Sequence, residues 1–560
     1  MKALMSALKD RPPQDPLAAH KPLSAVIMAL APILLIATVA LYLFSLNTHW
    51  KFEWDSAYYL MLAKSILTGK GYTYLGHPAL KTPFGFPLLI SPFVLFSGAN
   101  FVWLNGAMLV TAMLAVAAVF LLFRALFSPG YAVLIAFFTA WSALMLDRAG
   151  FIMIDVPYMA LSVLALFFIQ RFIRGNRSFA RGSIAVAAII AAFYFRIIGV
   201  ALIAGTLVYL FLHARSVLTA KRFYALALIL IIPVSAWVWY AGACPIDRED
   251  PLWQLTEFIP SKLEGKRLEH NDPASKINGP ADFMSRGLKN LAYYGGVSCS
   301  VLTGVPLDTS LENLKKMPWV FRGLLLTLVL VMIGGFLYSI LRHKFLFDYY
   351  VVFYFGVLFT WSAREPRYLL PVLPFLLHYL LTGLTVLVRQ VQTRLVRPLR
   401  QEAGPAAGAL MIYGCCFLAA NTFQDIGLLR QQHANPYYSD AILHFFKATD
   451  WVKNNTPSDC RIVSVNAPVA ANFCGRWCVS FPWVKNPKVI LDFLYKINAG
   501  YLIVSPLIHQ EQRFLNTVID KNGPIFEKMF SSGEAFVYRI DRDRLVRQIA
   551  LKDRIGTDRI

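Results

Sequence analysis

Charged residues are scarce in this chain of 560 residues. Asp, Glu, Lys and Arg together make up only 15% of it, whereas hydrophobic residues make up 57%. A soluble globular protein usually has about a quarter charged residues and about half apolar ones. The shortage of charge therefore excludes an ordinary soluble domain and predicts a protein with many membrane spans. Residues 22–50 contain no Lys, Arg, Asp or Glu, and about 20 apolar residues are enough to cross a bilayer.

Acidic residues are also few, with 32 Asp and Glu against 54 Lys and Arg and a formal charge of +22. The position of such an excess says more than its sum. The basic residues concentrate in short segments between the apolar stretches, at 1–22, 124–130, 171–181, 213–222, 342–348 and 389–402. Short basic loops mark the cytoplasmic side of a membrane protein. The charge thus indicates topology, and we expect no nucleic-acid partner.

The apolar stretches predict eleven transmembrane helices. They lie near residues 24–46, 101–123, 131–146, 156–170, 183–195, 198–212, 223–243, 323–341, 349–363, 368–388 and 404–424. The first is longer than the core of a signal peptide, so we expect it to stay in the membrane with the N-terminus in the cytoplasm. Eleven crossings of the plasma (inner) membrane then place the C-terminal tail on the extracytoplasmic, or periplasmic, side.

Two apolar stretches do not fit a single straight span. Residues 182–214 carry Arg196 near their middle and are either one long helix or two; because both flanks are basic, we predict a hairpin with Arg196 at its outer turn. Residues 82–123 are uncharged but contain three prolines near their start, which break a helix. We therefore expect residues 88–96 to form a short helix that lies in the outer leaflet.

Polar sequence occurs in two larger portions, a loop at about 245–318 and the tail. We expect residues 1–425 to form a membrane module with extracytoplasmic loops at 47–100 and 244–320, and residues 426–560 to form a small extracytoplasmic α/β domain. Periodicity in the tail predicts helices at 439–453 and 486–496 and strands at 461–465 and 501–504. Such alternation favours an α/β fold.

Seven cysteines are present, and five of them fall outside the predicted spans: Cys244, Cys299, Cys460, Cys474 and Cys478. In an oxidising compartment these would form disulfides. Cys244 could pair with Cys299, and Cys460 could pair with Cys474 or Cys478, so the pairing stays open. Because five is an odd number, at least one thiol has no partner among these five. The remaining two, Cys415 and Cys416, lie in the last span and are expected to be buried small residues.

Two acids stand at the predicted outer ends of spans. Asp55 follows the first span, and Asp155 opens the fourth within the sequence Ile-Asp-Val-Pro. Ionisable groups close to a bilayer are costly and usually face a polar cavity. We therefore predict that both are catalytic and share a site, with one of them acting as a general base. The adjacent Asp147 and Arg148 are better explained as a cap at the membrane interface.

Four cations are predicted at the same face: Lys81, Arg196, Arg364 and Arg367. An arginine offers a two-pronged fork to a phosphate and a lysine offers a point charge. We expect these side chains to bind the phosphate of a lipid. Nearby polar and aromatic residues of the first loop are candidates for contacts with an acceptor or a sugar, namely Glu53, Tyr58, Tyr59 and His77. No cofactor is expected, although Glu53 and His77 leave a divalent metal as an alternative.

The order of these motifs resembles the GT-C superfamily of glycosyltransferases. The motifs are the acid after the first span, Gly-Lys-Gly-Tyr at 69–72, Pro-Phe-Gly-Phe-Pro-Leu-Leu at 83–89, Asp-x-Pro at 155–157 and Arg-Tyr-Leu-Leu-Pro at 367–371. Within the superfamily the chain is most similar to bacterial relatives of the protein O-mannosyltransferase and aminoarabinose transferase class (glycosyltransferase family 39). The resemblance covers most of residues 24–390, and the tail is similar to the outer domains of bacterial members.

This resemblance implies transfer of a sugar from a polyprenyl-phosphate donor to an envelope acceptor on the extracytoplasmic face, with inversion. It implies a general base at Asp55, a second acid at Asp155, and lipid-phosphate contacts at Lys81 and Arg367. Two departures stand out: Asp55 is followed by Ser56 rather than by Glu, and Lys81 is followed by Thr-Pro rather than by Pro-Pro. The sugar and the acceptor therefore cannot be transferred from either group.

Two other classes of function compete with this interpretation. A transporter or flippase of a lipid-linked or anionic substrate would also need many spans, but transporters often consist of two related halves, and the sequence has no internal repeat. A membrane scaffold for envelope assembly would use the same acids and arginines as structural ion pairs. For the enzyme, we expect Asp55, Asp155, Lys81 and Arg367 to converge in one pocket.

Overall fold

The computed structural model describes residues 21–97, 100–174, 179–213, 219–244, 276–305, 317–395, 404–464, 466–484, 486–507 and 511–557. The predicted N-terminal basic segment, most of the predicted loop at 244–320 and residue 465 of a predicted strand lie outside these ranges.

Helices coincide with every predicted span. The helices up to residue 303 are α1 (Lys21–Phe44), α2 (Trp54–Leu67), α3 (Gly85–Ser97), α4 (Val102–Leu126), α5 (Pro129–Ala140), α6 (Ala143–Ala149), α7 (Asp155–Arg174), α8 (Phe179–Phe195), α9 (Val200–His213), α10 (Ala220–Ala243) and α11 (Pro280–Thr303). They are followed by α12 (Trp319–Tyr338), α13 (Leu346–Thr360), α14 (Leu373–Leu395) and α15 (Gly404–Gln432). The tail contains α16 (Asp440–Asn455), α17 (Ala467–Cys474), α18 (Pro487–Lys496), α19 (Thr517–Lys521) and α20 (Arg542–Thr557).

Seven described helices are long and apolar enough to cross a membrane: α1, α4, α7, α10, α12, α14 and α15. An eighth span is formed if α5 and α6 count as one, since they meet at a bend of 61°. The other three predicted spans, α8, α9 and α13, are shorter apolar helices. The prediction of a polytopic helical membrane protein is confirmed, and the short helix α3 occurs where the interfacial helix was predicted.

Part of the polar segment at 244–320 is helical. The sequence pattern predicted no helix there, and residues Pro280–Thr303 form the 24-residue helix α11. Because α11 contains charged residues, among them Asp282 and Lys289, its apolar face was not recognised in the sequence. That face is buried at Tyr294, Val297 and Cys299. Asn290 anchors this face, because its amide donates to the carbonyl oxygens of Leu358 and Trp361 at 2.9 and 2.6 Å.

Contacts divide the chain into two compact units. The first comprises residues 1–50, 99–238 and 279–432, and the second comprises residues 51–98, 239–278 and 433–560. The first loop thus groups with the tail rather than with the spans that flank it. The predicted boundary at residue 425 divides the sequence into a membrane module and a tail, and it remains a prediction. Each unit is described by itself.

The first unit is a helical bundle with a buried polar cap at the start of α13. The carboxylate of Asp348 is fully buried and accepts hydrogen bonds from Ser339 Oγ, from the Phe345 backbone N–H and from Tyr379 OH, each at 2.9 Å. A buried carboxylate is tolerated only when its lone pairs are satisfied. These bonds fix the N-terminal end of α13 against α14.

In the second unit, the first loop folds into helices and a small hairpin. Helix α2 is followed by β1 (Thr73–Tyr74) and β2 (His77–Pro78), which pair in antiparallel fashion, and then by α3. The hairpin turn has positive φ at both Leu75 and Gly76, the backbone conformation of the tight turns that suit twisted strands.

The tail forms the α/β domain that its sequence pattern predicted. Its sheet has the order β4 (Trp477–Val479), β3 (Arg461–Val463), β5 (Tyr501–Val504), β7 (Ala535–Ile540), β6 (Phe526–Ser532). Strand β3 runs parallel to both β4 and β5, whereas β7 is antiparallel to β5 and β6. The core between this sheet and α18 includes Leu491, Leu494 and Leu502. Strand β4 and the β6–β7 hairpin were not predicted.

Candidate active site

A buried carboxylate with two arginines lies in the first unit. Asp155, the first residue of α7, has only 1% of its side chain exposed. Its Oδ1 accepts a hydrogen bond from Arg196 Nη1, and its Oδ2 is 3.9 Å from Arg367 Nη1. These three predicted residues are therefore brought together from three separate parts of the sequence.

Arg196 reaches Asp155 because it occupies a break between two helices. Helix α8 ends at Phe195, Arg196 itself has extended backbone angles, and a 3-10 turn at Ile197–Gly199 leads into α9. Gly199 lies so close to the preceding helix that a Cβ there would be 2.6 Å from Phe193 Cα. The chain thus turns back at Arg196, in agreement with two helices rather than one.

The 3-10 helix Pro366–Val372 carries Arg367 and Tyr368. The guanidinium groups of Arg196 and Arg367 lie 4.8 and 5.5 Å from the centre of the Tyr368 ring. Tyr354 OH holds this element by donating to the Tyr368 carbonyl oxygen at 2.7 Å. The tyrosine ring provides a surface on which two like charges can lie near one another, since a ring face attracts cations. From the sequence, Tyr368 was named only as part of the Arg-Tyr motif, without a role, and Tyr354 was not identified.

The charge balance of this group favours an anionic ligand. Among the described residues of this group, one carboxylate faces two guanidinium groups, so the formal charge of these three side chains sums to +1 when Asp155 is ionised. The side chains of Arg196 and Arg367 keep 18% and 12% of their surface exposed. Guanidinium groups that are partly desolvated and fixed by a carboxylate are well suited to bind phosphate oxygens. We refer to Asp155, Arg196, Arg367 and Tyr368 as the arginine cluster.

Arg364 and the pair Asp147–Arg148 lie in neighbouring segments of the first unit. Arg364 is half-buried and precedes the 3-10 helix by two residues. At the end of α6, Arg148 Nε is 3.0 Å from Asp147 Oδ2, and its guanidinium lies 4.7 Å from the centre of the Phe151 ring. Asp147 and Arg148 thus form an ion pair with each other, and their role as an interface cap stays a prediction.

A cavity of about 240 Å³ lies beside the 3-10 helix. Its wall includes Pro366, the residue before Arg367, and residues from α11 and α15. Ser142, at the break between α5 and α6, is fully buried and lines the cavity, and its hydroxyl has no hydrogen-bond partner in the part of the chain that the structure describes. Irregular backbone at membrane depth is tolerated where it lines a cavity. A small polar ligand or water would satisfy this hydroxyl.

The second unit holds Asp55 and Lys81. Asp55 lies in the first turn of α2, where the helix dipole favours a negative charge. Lys81 Nζ is 3.9 Å from Asp55 Oδ1, and the two side chains are 25–35% exposed. The same ammonium group lies 4.3 Å from the centre of the Trp54 ring, which stacks on the Tyr58 ring at 5.6 Å. An accessible carboxylate is thus held next to a cation on an aromatic surface.

The backbone after Lys81 is fixed by Tyr72. Its hydroxyl donates to the Thr82 carbonyl oxygen at 2.8 Å and lies 3.2 Å from the Pro83 carbonyl oxygen. Tyr72 belongs to the Gly-Lys-Gly-Tyr motif, whose glycines Gly69 and Gly71 both have positive φ. The motif therefore positions the backbone that follows Lys81. Glycine is favoured at positions 69 and 71 because it adopts positive φ without a steric penalty.

The other first-loop candidates have varied surroundings. Glu53 is the N-cap residue of α2, and its side chain makes no capping hydrogen bond. Tyr58 and Tyr59 are buried, with Tyr59 edge-on to Phe86 at 5.0 Å. His77 is half-buried in β2, opposite Tyr74. In the described part of the chain no group of three His, Cys, Asp or Glu side chains could hold a metal ion, and a metal at Glu53 and His77 stays a prediction.

Asn472 of the tail contacts the helix that carries Asp55. Its Nδ2 donates to the Ala57 carbonyl oxygen at 2.8 Å, and its Oδ1 accepts from Lys64 Nζ at 2.9 Å. Helix α17 therefore packs against α2 through one amide that bonds both the backbone and a side chain. A lone asparagine in an apolar helix gave no signal of this contact in the sequence.

Comparison with known proteins identifies the fold. No protein-family model matches the sequence, and no curated protein matches it. Among solved structures, ArnT from Cupriavidus metallidurans in the apo state superimposes with a TM-score of 0.55 at 10% identity, over 92% of this chain and 99% of that one. The archaeal oligosaccharyltransferase AglB from Archaeoglobus fulgidus, in complex with an inhibitory peptide and a dolichol-phosphate, gives a TM-score of 0.52 at 14% identity, over 91% and 74%.

Both of these proteins are members of the GT-C superfamily. The chain therefore has the GT-C fold over most of its length, and the resemblance noted in the sequence is confirmed at the level of fold. Together with the apolar helices, this fold identifies an integral membrane protein. At 10–14% identity the comparison concerns the fold alone.

Proposed function

We propose that this protein is a glycosyltransferase that moves a sugar from a polyprenyl-phosphate donor to an envelope acceptor on the extracytoplasmic face of the membrane. The observation that carries the proposal is the arginine cluster, a net-positive group at helix ends in a chain with the GT-C fold. The AglB structure with a similar fold contains a dolichol-phosphate, which is the class of lipid that such a cluster would bind.

In this proposal Arg196 and Arg367 bind the phosphate of the donor. Transfer breaks the bond between the anomeric carbon and the phosphate oxygen, so negative charge develops on the departing polyprenyl phosphate. Positioned cations stabilise that charge most where water is partly excluded. Asp155 is buried and ion-paired, which favours a positioning role for it over the role of a proton acceptor. Lys81 and Arg364 are further candidates for phosphate contacts.

Asp55 is the general base of the proposed reaction. Its carboxylate is partly exposed and lies beside Lys81 at 3.9 Å, a distance that allows attraction without the tight pairing found at Asp155. The acceptor oxygen attacks the anomeric carbon, Asp55 takes the acceptor proton, and polyprenyl phosphate leaves with the bonding electrons. A single displacement of this kind inverts the anomeric configuration. A positioned base typically contributes about 10² to 10⁴ to the rate.

The sugar of the donor would meet polar groups near Pro366. The buried Ser142 hydroxyl and the Gln424 side chain both line the cavity beside this residue, and Leu144 and Val301 contribute apolar surface. Sites for small ligands combine apolar walls with a few polar groups, and a sugar offers hydroxyls together with apolar ring faces.

The experiment that tests the function uses the purified full-length protein in proteoliposomes with a polyprenyl-phosphate sugar and a crude envelope fraction as acceptor. The released polyprenyl phosphate and the intact donor in each leaflet are measured. We expect acceptor-dependent release of polyprenyl phosphate. Donor that crosses the bilayer intact would instead identify a flippase, and donor that is neither consumed nor moved would overturn both activities.

A further inference from the structure

Two thiols of the tail are in contact. Cys474 is the last residue of α17, and Cys478 is the central residue of β4. Gly475, with φ of +65°, ends the helix and turns the chain so that strand β4 begins two residues later. This turn brings the two sulfur atoms to 3.5 Å from each other. Both cysteines are fully buried.

The third cysteine of the tail has a different partner. Cys460 is half-buried, and its Sγ donates to Thr456 Oγ1 at 3.3 Å. Arg476 holds the same loop, with Nη2 donating to the Lys453 and Thr456 carbonyl oxygens at 2.7 and 2.9 Å. The sequence suggested a pairing of Cys460 with Cys474 or with Cys478, whereas the geometry brings Cys474 and Cys478 into contact with each other.

The surroundings of the two thiols make them chemically unequal. The hydrogen bond with Cys478 and the backbone N–H of Arg476, which donates to Cys474 Sγ, lower the pKa of the Cys474 thiol. Burial raises the pKa of Cys478. A thiolate is the nucleophile in thiol–disulfide exchange, and of the two thiols Cys474 has the surroundings that favour a thiolate.

We propose that Cys474 and Cys478 form a structural disulfide in the mature protein. Before folding of the tail buries it, the Cys474 thiolate attacks a disulfide of an extracytoplasmic thiol oxidase, and one sulfur of that disulfide leaves as a thiolate. Cys478, after losing its proton, then attacks Cys474 Sγ and releases the second thiolate of the oxidant. Two protein thiols are oxidised and one disulfide of the oxidant is reduced. The reaction needs an oxidising compartment, and in this respect it rests on the proposed extracytoplasmic position of the tail.

The bond would lock the end of α17 to the sheet of the tail. Asn472, which contacts α2 at Ala57 and Lys64, lies only two residues before Cys474. A covalent link at Cys474 therefore fixes the part of α17 that packs against the helix of Asp55. The disulfide would thus stabilise the contact between the tail and the first loop.

Trypsin separates the three cysteines of the tail, which allows a direct test. Cleavage after Lys453, Arg461, Arg476 and Lys485 places Cys460, Cys474 and Cys478 on three different peptides, 454–461, 462–476 and 477–485. The full-length protein is isolated from membranes, its free thiols are alkylated under denaturing conditions without reductant, and the digest is analysed by mass spectrometry. We expect peptides 462–476 and 477–485 as one linked species that separates on reduction, with Cys460 alkylated.

Two cysteine variants test which thiols form the disulfide. Cys460→Ser should retain the linked species, whereas Cys478→Ser should leave Cys474 alkylated. A link from Cys460 to either partner, or full alkylation of all three thiols in the wild-type protein, would overturn the proposal. The side of the tail is measured separately by protease digestion of a C-terminal tag in sealed inside-out vesicles. A protected tag together with free thiols would refute the disulfide alone, whereas a digested tag would also refute the topology of the proposed function.

Discussion

Asp55 and Asp155 illustrate how the surroundings of two similar side chains separate their roles. The sequence placed both acids at outer helix ends and suggested that they share a site. Asp155 has 1% of its side chain exposed and is bonded to Arg196, whereas Asp55 is 25% exposed and lies 3.9 Å from Lys81. A partly solvated carboxylate can exchange a proton with an acceptor. An enclosed carboxylate that is bonded to an arginine instead holds that arginine in place.

Replacement of Asp55 by Asn should therefore reduce transfer by about 10² to 10⁴ while membrane insertion stays normal. The amide has almost the same shape but cannot accept the proton. The measurement is the rate of polyprenyl phosphate release, with insertion checked by detergent extraction and gel filtration. Asp440→Asn is the matched control, because Asp440 also lies in the first turn of a helix and should tolerate the change. Full activity of the Asp55 variant would remove this residue from the role of base.

Individual residues were partly predictable from the sequence. Asp155, Arg196 and Arg367 could be selected because charges are rare in this chain and these three occur at the ends of apolar stretches. Tyr354 could not, and the role of Tyr368 could not be read from its motif, since the chain has 25 tyrosines and aromatic residues at membrane interfaces are common. Only the fold shows that one of them forms a surface for two guanidinium groups.

At the scale of elements, helix ends are fixed by buried polar groups. Asp348 caps α13, and Asn472 joins α17 to α2. Neither contact follows from hydropathy. The sequence predicted the spans because a bilayer demands long apolar helices. It missed α11 because that helix has charges on its exposed face, and it missed the β6–β7 hairpin because strand patterns of six or seven residues are short and ambiguous.

The cap at Asp348 gives a stability prediction. Asp348→Ala removes the acceptor of three buried donors and should destabilise the protein by about 3 kcal/mol, measured as a lower unfolding temperature in detergent. Tyr379→Phe removes only one of these hydrogen bonds and should cost about 1 kcal/mol. Equal stability of the Asp348→Ala variant and the wild type would show that the cap does not stabilise α13.

The contact at Asn472 gives a second prediction. Asn472→Ala loses the bonds to Ala57 and Lys64 and should destabilise the second unit by roughly 1–2 kcal/mol. Transfer should also slow, mainly through a lower kcat, because the position of Asp55 becomes less fixed. Asn472→Asp keeps an acceptor for Lys64 but cannot donate to Ala57, so its loss should be intermediate. Hydrogen exchange of α2, measured in all three proteins, should rise in the same order; unchanged exchange in the alanine variant would contradict the role of Asn472.

At the scale of the whole molecule, the fold was predictable and the arrangement of its parts was less so. Hydropathy and the spacing of basic loops set the class of protein, and the order of short motifs indicated the GT-C fold. Neither could show that the first loop groups with the tail in one compact unit, because contacts between residues about 400 positions apart leave no mark on local periodicity. The amide of Asn472 is an example of such a contact.

The central claim is that the arginine cluster binds the phosphate of a lipid-linked sugar donor. The most direct measurement is the KM for a polyprenyl-phosphate sugar in the wild type, in Arg367→Gln and in the control Arg547→Gln, whose arginine is exposed on α20. A charged hydrogen bond contributes about 1.5–3 kcal/mol, so we predict a KM at least about tenfold higher for Arg367→Gln and an unchanged KM for Arg547→Gln. Equal KM values in all three proteins, each folded and active, would contradict the claim.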